Sequence, residues 1–307
     1  MSCPENIITV PNGVADIIVD TDAYCEVDDQ FALAYLLRSP EKVNIVGIIA
    51  APFYIPVPTG PVSSAEEGME KSYDEIIEVL KAADREDLIP IVKKGCKGYL
   101  SDSISNCDNE GVRFIIEKSK QYTKENPLYI VGMGCPVNII SAMLIDPSIT
   151  DRIVVTLLGG RKDTWGEFNF DQDPIATKLL YESDLKFVQT PAFGGVIDSF
   201  NISVNALKEK IEGKNKLCDF LYGRFYNIVI NIKKGEMFWS RVLFDVIAAA
   251  WMLDKGGRFI TTELTPKPHL ADDKSYVTDA TRPLMRKVTA IDHEAIFEDM
   301  FQKLING

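Results

Sequence analysis

The run ADIIVD at residues 15–20 is short, β-branched and stopped by a polar turn, a pattern that predicts a buried strand. DDQFALAYLLRSP, 28–40, then predicts a helix with Asp28 or Asp29 near its N-terminus and Pro40 beyond its end. KVNIVGIIAAP at 42–52 predicts a second buried strand, and the Pro-rich segment after it a long loop of the kind that lines binding sites. A capping box of Ser64 and Glu67 opens the next helix, which sets Met69, Tyr73, Ile76, Ile77 and Leu80 on one core-facing side. Further strands are predicted at 128–133, 152–160 and 185–190, and helices at 137–145, 173–183, 216–231 and 241–253. The polar stretch 95–111 reads as a loop or flap. Strands alternating with amphipathic helices predict an α/β fold: a mostly parallel central sheet with Rossmann-like winding, helices on both faces and ligands outside the carboxyl ends of the strands. A chain of 307 residues without an internal repeat or an evident linker is read as one domain, 1–307.

Composition narrows the class of partner. A formal net charge of −12 disfavours nucleic-acid backbones and anionic membrane surfaces. Six scattered cysteines without a CxxC pair read as reduced thiols, and the N-terminus lacks a basic region followed by an apolar core. The longest apolar run, VLFDVIAAAWML, carries an aspartate and is too short to span a bilayer. These features predict a cytoplasmic chain.

The candidate chemistry lies in IIVDTDAYCEVDDQF, which gathers Asp20, Asp22, Glu26, Asp28 and Asp29 at one strand end. Of Asp20 and Asp22, Asp22 is the better placed to face a pocket, with Asp20 behind it. Asp28 and Asp29 begin a helix, where free N–H groups favour negative charge, so each alone also reads as a cap. Together, carboxylates converging without a counter-ion would be forced to protonate. A hard divalent cation resolves the conflict, and all-oxygen ligands favour Ca²⁺ or Mg²⁺ over zinc. The only histidines, His269 and His293, lie far along the chain.

Four segments in order resemble the nucleoside hydrolase family, the inosine-uridine-preferring N-ribohydrolases. DTDAYCEVDD resembles its DxDxGxDD with two extra residues between Asp22 and Asp28. GCPVNIISAMLIDPSI resembles its GPLTN segment, LGGRKDTWGEFNFDQDPIATKLL its EFNxxxDPEAA segment, and LFDVIAAAW its HDPLAVA segment. The resemblance implies Ca²⁺-dependent hydrolysis of the N-glycosidic bond of a ribonucleoside, in the service of base salvage, by a homodimer or homotetramer. It implies Ca²⁺ ligands at Asp22, Asp29, Asp245 and the backbone carbonyl of Val137. Asp22 would also accept a proton from the attacking water. Asp28 would take the 2′-hydroxyl and Asp245 the 3′-hydroxyl, Glu167 and Asn169 would hold the 3′- and 5′-hydroxyl side, and Asp20 would orient the ligands from behind.

The chain departs from the family on the base side. Phe244 stands where many members carry a histidine before the aspartate. Arg241, Trp239 and His269 are candidate contacts for the leaving base, with Tyr24 and Tyr54 as further aromatic candidates. Arg241 is placed one helical turn before Asp245. Trp165 is a candidate to fill the space of a shortened GN segment. Two alternatives stand beside hydrolysis. One is a ribose or nucleoside binder that kept the cation cage without turnover. The other is a Mg²⁺-dependent phosphatase of the haloacid dehalogenase type, with Asp20 as nucleophile.

Overall fold

The computed structural model describes residues 8–55, 62–100, 108–233 and 239–307. Strand β1 (Ala15–Thr21) leads to helix α1 (Asp28–Leu37), β2 (Val43–Ala50), α2 (Ala65–Ala82) and β3 (Val92–Lys94). The chain continues through α3 (Glu110–Ser119), β4 (Leu128–Gly132), α4 (Val137–Ile145), β5 (Ile153–Leu158), α5 (Phe168–Gln172), α6 (Pro174–Glu182) and β6 (Lys186–Thr190). It then adds β7 (Asn201–Ser203), α7 (Val204–Ile211), α8 (Lys216–Lys233), β8 (Ser240–Val242), α9 (Val246–Leu253), β9 (Ile260–Pro266), β10 (His269–Leu270), β11 (Tyr276–Val277), β12 (Leu284–Ile291) and α10 (His293–Asn306).

The main sheet runs β3-β2-β1-β4-β5-β6-β12-β9, parallel except for the antiparallel edge strand β9. From β1 the chain winds outward through β2 and β3, then returns to β4 on the other side and winds through β5 and β6. Adjacent carboxyl ends at β1 and β4 therefore diverge into loops on opposite faces, leaving a crevice there. Register holds the two together: Asp20 pairs with Gly132, and the Met133 amide donates to the Asp20 carbonyl at 2.8 Å.

Alternation along β1 divides the core. Ile17 and Val19 pack with residues of α1, α2, α8, α9 and α10, while Ile18 packs on the opposite face with residues of α3, α4 and α6. Helices α1 and α9 are buried along their whole length, as helices that are apolar around most of their circumference must be. They pack on one another, so their N-termini, which carry aspartates, arrive side by side.

The predicted strands and helices form, with adjusted ends. The predicted helix 241–253 begins only at Val246, because 240–242 pair as an antiparallel strand with β7. The capping box is half as drawn: Ser64 accepts from the Glu67 amide, whereas the Glu67 carboxylate reaches back to the Ser63 amide and hydroxyl. Residues 101–107 of the predicted flap and 56–61 of the Pro-rich loop lie outside the described residues. The four described cysteines, Cys25, Cys96, Cys135 and Cys218, are free thiols. Among the described residues no helix is long and apolar enough to cross a membrane.

Candidate active site

A cavity of about 470 Å³ opens at the β1/β4 crevice. Asp22 enters it from the end of β1, Asp28 and Asp29 from the first turn of α1, and Asp245 from the residue preceding α9. All four are buried. Asp28 and Asp29 are not caps, since Val27 holds the cap position without a side-chain bond. Their hydrogen bonds instead reach across the site. Asp29 Oδ1 accepts from Thr21 Oγ1 at 2.5 Å, and Asp28 Oδ2 accepts from the Phe244 amide at 3.0 Å.

Carboxylate oxygens of Asp28, Asp29 and Asp245 lie within 4.8 Å of one another, a group that could hold a metal ion. Asp28 Oδ1 and Asp245 Oδ1 are buried with no hydrogen-bond partner, which costs free energy unless a ligand supplies the missing interaction. Burial pushes the Asp28 carboxyl up to about 6. Burial and the charge of Asp28 push Asp29 up to about 8. Asp22 and Asp245 are raised well above the ordinary carboxylate range, first by burial and next by the charge of Asp29. Oxygen-only donors, orphaned acceptors and mutual repulsion together fit a hard divalent cation.

Asp20 takes no part in the cavity wall. It is buried behind Asp22, accepts from Asn138 Nδ2 at 2.8 Å, and Asn138 in turn accepts from the Cys96 amide at 2.7 Å. A nucleophile cannot act from there, which overturns the phosphatase alternative. Val137 heads α4, is buried and does not line the cavity. The loop before it does approach the site: a Cβ on Gly134 would stand 3.2 Å from Asp22 Cγ and 2.9 Å from Ala51 Cβ, so only glycine fits there.

Glu167 and Asn169 line the next wall. Glu167 caps α5, accepting from the Asn169 amide at 3.1 Å and from the Gly160 amide at 3.2 Å. Gly160 itself has φ +73°, a conformation suited to glycine. Burial pushes the Glu167 carboxyl up to about 7. Asn169 Nδ2 donates to the carbonyls of Met133 (2.7 Å) and Leu158 (3.3 Å), so its side-chain oxygen is the group left for a hydroxyl donor.

Aromatic side chains also line the cavity. They are Phe168, Phe193, Trp239 and Phe244, with the Phe193 and Phe244 rings 4.8 Å apart and the Arg161 guanidinium 4.6 Å from the Phe193 ring centre. Arg241 lines the cavity as well, from β8 rather than from a helical face shared with Asp245. His269 is elsewhere: it is half-exposed in β10, beside Glu182 (3.1 Å), Asp279 (3.4 Å) and Arg282, and does not reach the cavity. Trp165 is buried with Nε1 on the Ala271 carbonyl at 2.9 Å, and Phe168 occupies the cavity wall instead. Tyr24 is exposed beneath Lys71, and Tyr54 docks its backbone on Gln172; neither lines the cavity.

The sequence reading missed Phe168, although it sits inside the EFN segment. It also missed Phe193, in the loop that leaves β6. A usable signal existed for the latter, since the glycine-rich PAFGG follows directly on a parallel strand and so falls at the carboxyl edge of the sheet.

Fold and site thus define a doubly wound α/β protein whose switch-point cavity carries a buried acidic cluster that could hold a metal ion, together with several aromatic side chains. The chain matches the model of the inosine-uridine preferring nucleoside hydrolase family over residues 17–298, and it belongs to that family. It is 26% identical over 160 residues to a probable ribonucleoside hydrolase of Dictyostelium discoideum, a match covering 48% of this chain and 47% of that protein, so the matched region spans about half that relative's length. Among solved structures it resembles the purine-preferring ribonucleoside hydrolase from Gardnerella vaginalis, with TM-score 0.73, 20% identity and coverage of 94% of this chain and 98% of the other. A plant nucleoside hydrolase superposes with TM-score 0.71 at 16% identity, over 97% of this chain and 100% of that one. These two likenesses are of fold.

Proposed function

We propose that this protein hydrolyses the N-glycosidic bond of a ribonucleoside, releasing free base and ribose, with Ca²⁺ as its cation. The observation that carries the reading is the convergence of Asp28, Asp29 and Asp245 with two orphaned oxygens, beside Asp22, in the cavity of a chain of this family. Asp29 and Asp245 of that group would hold the ion with Asp22, which lines the same cavity outside the group; the Val137 carbonyl that the resemblance adds is not on the cavity wall. When bound, Ca²⁺ supplies a positive charge that offsets the carboxylates and positions a water and the sugar diol.

The remaining work belongs to side chains. Asp22 takes the proton of the attacking water. Asp28 and Asp245 accept from the 2′- and 3′-hydroxyls, and the Asn169 oxygen accepts from a hydroxyl on the far side of the ring. Glu167 keeps that wall in place by capping α5. The buried carboxylates favour the positive charge that develops on the sugar as the C–N bond breaks. The aromatic side chains of the cavity offer faces on which a base can stack. A soluble cytoplasmic protein that binds a small nucleoside, rather than nucleic acid or membrane, and assembles as a homodimer or homotetramer completes this reading.

Chromatography of nucleoside panels incubated with the protein, with Ca²⁺ or with chelator, tests it. Base and ribose should appear together only with Ca²⁺. The second reading, a binder without turnover, is favoured by the phenylalanine at 244. It predicts Ca²⁺-dependent nucleoside binding with no base released.

A further inference from the structure

The acidic turn carries two residues more than the pattern it resembles, and Cys25 and Glu26 from that longer turn both line the cavity. Glu26 forms an ion pair with Arg241. Arg241 is far off in sequence, in β8, where it pairs with Ile202 of β7. The turn that brings the carboxylates is therefore tied directly to the segment that forms the base-side wall.

The ion pair engages one terminal nitrogen of the guanidinium. Arg241 Nε is buried and without a partner, although it carries a hydrogen. Three side chains of the cavity thus hold an orphaned atom: Asp28 Oδ1 and Asp245 Oδ1, which call for a donor or a cation, and Arg241 Nε, which calls for an acceptor. A nucleoside has that polarity, since sugar hydroxyls donate and base nitrogens or carbonyls accept. The aromatic side chains of the cavity and Cys25 offer no ready proton. Phe168, Phe193 and Phe244 have none to give, the indole of Trp239 only donates a hydrogen bond, and burial pushes the Cys25 thiol well up.

We infer that Arg241, held in place by Glu26, determines leaving-group specificity by donating a hydrogen bond to the departing base. The inference rests on the hydrolase reading above. As the glycosidic bond breaks, its electron pair moves to the base nitrogen while the water oxygen bonds to C1′ and a water proton passes to Asp22. The base departs with negative charge and is protonated by solvent afterwards. A guanidinium does not release a proton near neutral pH, yet it stabilises that charge. The favoured substrates are ribosides whose leaving group forms a stable anion and presents an acceptor.

The test uses Ca²⁺-supplied wild type, Arg241→Met, Arg241→Lys and Glu26→Gln. Calorimetry with ribose and with a nucleoside reads binding, and kcat/KM across aryl ribosides of graded phenol acidity reads charge stabilisation. Arg241→Met should bind ribose within about twofold of wild type and the nucleoside about tenfold or more weakly, as when a site loses one partner of a buried hydrogen bond. Its loss in kcat/KM should grow along the series to about 10²-fold or more for the least acidic phenol. Arg241→Lys and Glu26→Gln should fall between, with ribose binding retained. Equal loss on every riboside, or unchanged nucleoside affinity, overturns the assignment. If Arg241→Met weakens ribose and nucleoside alike, Arg241 is refuted while the hydrolase reading stands. If wild type binds neither, both fall.

Discussion

Asp22 owes its place in the cavity to the point at which β1 ends. Residues two apart share a strand face, so alternation alone would keep it with Asp20; β1 instead ends at Thr21, and the fold places Asp22 on the cavity and Asp20 behind it on Asn138. If Asp22 is the proton acceptor, Asp22→Asn should lower kcat by about 10²–10⁴-fold with little change in melting temperature, measured by base release and scanning calorimetry. His269, by contrast, is a candidate contact for the leaving base only if its loop reaches the cavity, and it does not. It serves a surface cluster with Glu182, Asp279 and Arg282. His269→Ala should leave kcat/KM within about twofold and stability within about 0.5 kcal/mol, as expected of an exposed position away from the site. The aspartates were legible because four of the site's residues lie within ten positions of one another. Phe193 and Phe244 were not, since their contact is created by loops 51 residues apart meeting at one rim (193 to 244).

Among the elements, buried ones were read best. Strands β1, β2, β4 and β5 are short, mostly apolar and almost wholly buried, and α2 announces itself through Ser64 and its core face. Strands β9 and β12 escaped notice because they alternate with exposed polar residues and gain their definition from pairing with one another at the sheet edge. Residues 241 and 242 fall in the predicted helix 241–253 but form a strand for a related reason: local apolar content continues into α9, while the pairing with β7 that makes them a strand is non-local. The loop between β4 and α4 is closely packed at Gly134, against Ala51 and Asp22. Gly134→Ala should cost about 1–3 kcal/mol by overpacking against Ala51 and Asp22, and should weaken Ca²⁺ affinity, read by urea denaturation and metal titration. Unchanged affinity in a folded variant would separate that loop from the cation site.

For the protein entire, the raised carboxyls set a pH dependence of stability. Asp28, Asp20 and Asp29 are pushed from an ordinary 3.8 to about 6, 7 and 8. The folded state therefore binds more protons than the unfolded state between those limits, and stability falls as pH rises from about 4 to about 8. A bound cation opposes that loss by favouring the ionised carboxylates at its site. The rise in melting temperature on adding Ca²⁺ should thus be larger at pH 8 than at pH 5, checked by calorimetry in matched buffers; an equal rise at both would contradict the linkage. The doubly wound arrangement was legible from strand–helix alternation, whereas the cavity's full wall required the chain's two halves to be brought together. The most direct measurement is a Ca²⁺ titration of wild type and Asp29→Asn by isothermal calorimetry, each followed by assay for free base from a nucleoside. A single saturable site in wild type, lost together with base release in Asp29→Asn, is the predicted result. Undiminished Ca²⁺ binding by Asp29→Asn, or base release that proceeds in chelator, would contradict it.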